Sequence, residues 1–352
     1  MRRSIVSLTG AAAALVLVAI AAALLPARGV AAPAVTYHLA RTVVLGGDGG
    51  WDYLSYDAVG KRLFIPRGTR VTVVDPATGK SLGEIANTPG VHGVALAQDQ
   101  GKGFTSNGRD NSVSVFDLKT LQISATVSID AKNPDAIVYD PASKRVFTGN
   151  GGSQNVTTID AATNAVVGNV ALPGRPEFAA AGNAMVYFNI EDKNEIVAID
   201  ARKNAVVNTW PLGTCDSPTG LSMDVAHHRL FAGCQNSAMI VMNSDTGAVV
   251  ATLPIGKGSD ATAFDPATQL AFSSNGDGTL TVVHEDSPDA FAVVQNAATQ
   301  AGARTLALDA ATHDVYLVTA QFTVGPPAAG STRPTRTMVP GSFTLLVMSS
   351  RP

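Results

Sequence analysis

Three nearly identical four-residue words recur along the chain: "FTSN" at 104–107, "FTGN" at 147–150 and "FSSN" at 272–275. The first two lie 43 residues apart, and the third follows after 125, about three times that step. Aligning the rest of the chain on these words gives seven units. The same slot reads "FIPR" at 64–67, "YFNI" at 187–190, "FAGC" at 231–234 and "YLVT" at 316–319. Successive starts step by 40, 43, 40, 44, 41 and 44 residues. Each unit has one grammar. A short apolar strand such as "AIVYD" (136–140) meets a turn such as "DPAS" (140–143), where Asp accepts backbone hydrogen bonds and Pro presets φ. The strand carrying the word follows, then a polar loop, a third strand such as "VSVFD" (113–117), a second turn, and a fourth strand such as "AVVATLPI" (248–255). Four short strands per unit of about 40–45 residues, repeated, are the signature of a β-propeller.

The predicted fold is therefore all-β: a seven-bladed propeller over 37–349, with blades starting near 52, 93, 135, 177, 219, 260 and 304. Phe64, Phe104, Phe147, Tyr187, Phe231, Phe272 and Tyr316 are read as plugs that pack each blade on its neighbours. The seventh unit lacks a fourth strand, whereas "YHLARTVVLGG" (37–47) is a strand without a blade. The N-terminal strand is expected to complete blade seven and close the ring, leaving no open edge. A ring closed in this way is expected to act as a monomer.

These words resemble the YVTN repeat, and the chain resembles the YncE-like family of bacterial exported seven-bladed propellers over about 37–349. That resemblance implies a binding role more readily than a defined activity. One relative is credited with binding DNA, and related propellers host lactonases and lyases, so the fold does not decide the function.

Composition agrees with export. "MRRSIVSLTGAAAALVLVAIAAALLPARGVAAPA" begins with a basic pair, continues with an apolar run from Ala11 to Leu25 and ends in small residues, the pattern of a secretory signal peptide over 1–32. The run is short for a membrane span, so no span is expected once the signal is removed, and the mature protein is expected to be periplasmic or secreted. Loss of Arg2, Arg3 and Arg28 would leave 22 basic and 28 acidic residues, a net charge of −6. That charge argues against indiscriminate binding to phosphate backbones. The two cysteines, Cys215 and Cys234, flank the first two strands of blade five and are expected to form a disulfide in an oxidising compartment.

Chemistry is expected where the loops leading into the first strands surround the central channel. Counting five residues back from the turn Asp of the units, with Glu177 placed by the match of "RPE" to "NPD", gives an inner ring of Asp52, Gly93, Asp135, Glu177, Thr219, Asp260 and Arg304, with His92 and Trp51 one position earlier in their units. Asp52, His92, Asp135, Glu177, Asp260 and Arg304 are the candidate ligand-binding residues. An oxygen-rich ring of this kind suits Ca²⁺. The opposing reading is that these acids only cap strand starts. Loops of blades seven, one and two carry Arg67, Arg70, Arg109, Arg333 and Arg336, a basic sector for an anionic ligand or partner. Arg333 and Arg336 lie in a long insertion, 320–343.

Three functions stay open on these residues. The first is a binding module for a small ligand or protein partner. The second is a lactonase-like hydrolase or lyase with His92 as base and Arg304 stabilising an anion, and the third is DNA binding through the basic sector. The sequence contains no GxSxG, HExxH, P-loop or CxxC motif to favour an enzyme.

Overall fold

A computed structural model describes Met1 and residues 35–327 and 334–351. Apart from Met1, the expected signal peptide lies outside the described residues. The strands all belong to one compact unit, Val35–Pro352. They form seven four-stranded antiparallel sheets, as the repeat predicts. Blade two is representative, with strands Val91–Ala97, Lys102–Asn107, Ser112–Asp117 and Ile123–Ser128. One 3-10 turn, Gln98–Gln100, is the only helical element among the described residues.

Blade seven orders His38–Val44 beside Thr344–Ser349, then Asp314–Thr319 and Leu306–Asp309. The N-terminal strand thus supplies the missing outer strand, with His38 opposite Ser349 and Val44 opposite Thr344. Burial follows position in the blade. The second and third strands are covered on both faces, whereas Ile123–Ser128 alternates half-buried and exposed residues as an outer strand must. All seven plugs are buried. They act between blades: Phe104 of blade two shares a cluster with Val146 and Ile159 of blade three. Burying such a ring contributes roughly 1.5–3 kcal/mol.

The last letter of the recurring word has its own reason. The amide of Asn107 donates to Ser112 and Ser114, that of Asn150 to Asn155 and Thr157, and that of Asn275 to Thr279 and Thr281. Each Asn is a buried bracket joining the second strand to the loop and third strand that follow. The turns are equally repetitive. The Thr78 hydroxyl donates to Asp75, and N–H groups three residues on donate to Asp117, Asp160 and Asp200; these bonds, helped by N–H groups two residues on, hold each carboxyl below the usual carboxylate range.

Cys215 and Cys234 are bonded, with Cα atoms 5.5 Å apart, and both are buried in the cluster that holds Tyr187 and Leu212. A native disulfide points to a non-cytoplasmic compartment. The two cysteines are 19 residues apart in sequence. Replacing both by Ser should cost about 3 kcal/mol of unfolding free energy in urea titration, because the bond shortens the denatured ensemble's loop. A change below about 0.5 kcal/mol would mean the bond adds nothing beyond the packing around it. Among the described residues no helix is long and apolar enough to cross a membrane.

The insertion in blade seven is a two-stranded hairpin, Phe322–Pro327 with Pro334–Met338. Its root is anchored by apolar contact: Trp51 packs on Phe322 and Phe343, at 6.0 and 5.4 Å between ring centroids.

Candidate ligand site at the funnel mouth

The word also positions the ring. Ser106 of blade two donates to the carbonyl of Asp135 in blade three, and Ser274 of blade six donates to that of Arg304 in blade seven. Asn189 of blade four holds the carbonyls of Thr219 and Gly220 in the same way. The backbones of Asp135, Arg304 and Thr219 are thus fixed by the preceding blade, and the side chains of Asp135 and Arg304 are left for the channel. Thr219 is the exception, since its hydroxyl donates to Ser259 and stays buried.

Five of the six candidates fall into two groups. His92 Nδ1 lies 2.8 Å from Asp52 Oδ2 and 3.5 Å from Asp135 Oδ1. Arg304 lies 2.8 Å from Asp260 Oδ2. The sixth candidate, Glu177, is reached from across the ring. Tyr53 of blade one donates its hydroxyl to the Glu177 carbonyl (3.1 Å) and to Oε1 (3.4 Å) of blade four. Blades one and four are not neighbours, so this bond crosses the central axis. The Tyr53 ring stands edge-on to Phe178 at 4.7 Å. Below them the first strands of blades one to four line a cavity of about 210 Å³. That is smaller than most small-molecule sites.

The electrostatics of the mouth are dominated by buried acid. Desolvation raises Asp135 to about 6, with the Asp52 charge adding to it against the opposing pull of His92. It raises Asp260 to about 7 in spite of Arg304, and Glu177 to about 8, helped by Asp135 and Glu191. Burial pulls His92 down, but the hydrogen bond it donates to Asp52 and the charges of Asp135, Asp52 and Glu177 leave it raised. Asp135 Oδ1 is buried with no hydrogen-bond partner. Asp52, His92 and Asp135 offer three donor atoms within 4.8 Å of one another. That set includes an imidazole nitrogen, and it suits a borderline divalent ion better than the all-oxygen calcium ring read from the sequence.

Three functional neighbours escaped the sequence reading. Tyr53 looks like one more strand aromatic, and only the ring closure turns it onto the axis. Glu191 lies just after the second strand of blade four, Met185–Ile190, yet its charge acts on Asp135, Glu177 and Asp260. Arg175 pairs with it.

The basic sector is different from its sequence reading. Arg67 is buried, 3.6 Å from the Phe343 ring, and its guanidinium donates to the carbonyls of Gly46, Asp48, Gly49 and Gly50. The "GGDGG" stretch is therefore the wrapping of an internal arginine, with Gly46, Gly47 and Gly49 at positive φ. Burial lowers Arg67 to about 10. Arg70 is held by Asp48 (2.7 Å) and Glu84 (3.2 Å). Arg109 is exposed, and Arg336 lies over the Phe322 ring at 4.6 Å. Arg333 lies outside the described residues. The sector thus presents Arg109 and Arg336, with Arg67 unavailable and Arg70 neutralised.

No family model matches the chain, and no curated protein matches it. Among solved structures it is similar to U3-55K, a WD40 β-propeller. The TM-score is 0.74 at 10% identity, over 88% of this chain and 99% of the other. At that identity the likeness is one of fold.

Proposed function

We propose that the protein is an exported binding module whose funnel mouth holds a small ligand, or a partner side chain, carrying positive charge. One observation carries this reading. Asp135, Asp260 and Glu177 are all held above the normal carboxylate range where they meet, facing one imidazole and one ring arginine that is already bonded to Asp260. An incoming cation offsets the desolvation of these buried acids and their smaller mutual repulsion, and gives Asp135 Oδ1 the partner it lacks. A diamine and a borderline divalent ion both satisfy this chemistry. The resemblance to exported YVTN-repeat propellers and the disulfide support a periplasmic or secreted setting.

The hydrolase or lyase reading needs Arg304 free for an anion, and its bond to Asp260 speaks against that. DNA binding needs the arginines that the fold has withdrawn: an Arg67→Ala test of that reading would unpack the 46–50 loop rather than probe a contact.

The test is calorimetric titration of chelator-treated, dialysed protein with Mn²⁺, Zn²⁺, Ca²⁺ and putrescine. At least one should bind, and Asp135→Asn should weaken it tenfold or more while leaving the melting temperature within a few degrees. Wild-type protein that binds none of the four, or a variant that binds as well as wild type, overturns the reading.

A further inference from the structure

The opposite rim carries a second cluster. Asp224 ends the first strand of blade five, Pro218–Asp224, and His227 sits in the turn after it. Glu285 lies on the third strand of blade six, Thr279–Ser287. His227 Nδ1 is 2.7 Å from Asp224 Oδ2 and 2.9 Å from Glu285 Oε1.

Glu285 breaks the repeat. Its N–H donates to the Gln269 carbonyl, and the same backbone bond defines the equivalent residues Leu118, Ala161, Ala201 and Ser244. All four are buried and uncharged. A carboxylate in this slot is costly unless something compensates it. Yet Glu285 is 1% exposed, and both of its oxygens lack a hydrogen-bond partner. Asp224 Oδ2 and His227 Nδ1 are also buried without one, because neither close approach to the imidazole has hydrogen-bond geometry. One ring nitrogen has a single in-plane direction and cannot serve two carboxylates at once.

The surrounding charges are committed elsewhere. His228 pairs with Asp245, His284 with Asp286, and Arg229 with Asp289 and the carbonyls of His227, His228 and Pro288. The other oxygen of Asp224 accepts from Ala226 N. The three remaining donors lie within 4.8 Å of one another. They are one imidazole nitrogen and two carboxylate oxygens, a set that suits a zinc-class ion.

We propose that Asp224, His227 and Glu285 form a divalent-metal site of the zinc class that clips blade five to blade six. The site is separate from the funnel mouth, and neither proposal rests on the other.

The test is zinc titration of chelator-treated, dialysed protein, read by calorimetry and by melting temperature. Wild type should take up zinc at this site and melt roughly 5 °C higher at a hundredfold excess over Kd. Glu285→Ala installs the residue that blades three and four already use in the slot, so it should fold. It should bind one zinc fewer than wild type and lose the shift, whereas the funnel variant Asp135→Asn should keep this zinc and its shift. Zinc uptake by Glu285→Ala equal to wild type overturns the site. So does wild-type protein that neither binds zinc nor gains stability from it, the result expected if a shared proton, not a metal, bridges the carboxylates. Equal displacement by Ca²⁺ would overturn the zinc-class assignment.

Discussion

Replacing Tyr37 by Ala should destabilise the propeller by about 3–5 kcal/mol, the range for deleting a large buried aromatic, and Tyr37→Phe by only about 1 kcal/mol. Tyr37 precedes the strand His38–Val44 that closes the ring. Its ring is buried against Phe272 of blade six at 5.1 Å, edge to face. Its hydroxyl donates to the His313 carbonyl (2.8 Å). Its N–H donates to Gln295 and its carbonyl accepts from the same side chain. One residue therefore bolts the closing strand to blade six and to the turn of blade seven. Without the ring, blade seven keeps three strands and exposes an edge. Urea unfolding of the three proteins side by side measures this. A Tyr37→Ala loss no larger than that of Tyr37→Phe would show that strand pairing alone closes the ring.

The funnel mouth predicts an unusual pH dependence. Between about pH 4 and 8 the unfolded chain has ionised Glu177, Asp260 and Asp135, while the folded chain still holds protons on them, since their values rise to about 8, 7 and 6. The folded state then binds more protons than the unfolded one, so stability falls as pH rises through this window. His92, raised as well, acts with the same sign. The exposed turn aspartates act oppositely, but only in acid, because their carboxyls are held below the usual range. The melting temperature should accordingly decline from about pH 5 to pH 8. Glu177→Gln should flatten that decline and gain on the order of 2 kcal/mol at pH 8, because the amide keeps an oxygen for Tyr53 and drops the charge. A flat wild-type profile, or superimposable profiles for the two proteins, would refute the account of the mouth.

What the sequence determined by itself was everything that repeats. The seven words, the turn aspartates and the orphan strand at 37–47 are local or periodic signals, and each recurs because every blade meets the same packing problem. They sufficed for blade number, plugs and ring closure. Counting back from the turns also found the ring, since Asp52, Asp135, Glu177 and Asp260 hold equivalent places in their units.

What does not repeat depends on how the ring folds. Tyr53 meets Glu177 because closure brings blade one opposite blade four, 124 residues away in sequence. Arg67 lies inside a glycine loop instead of on the surface, because that loop folds its carbonyls over the guanidinium. Glu285 reads as a polar residue at a strand end, and becomes a buried carboxylate beside Asp224 and His227 once two blades pack together. A periodic sequence specifies each blade through its own short-range pattern. Which side chains converge across the axis, or across a blade boundary, depends on contacts distant in the chain, and those exist only after the ring has closed.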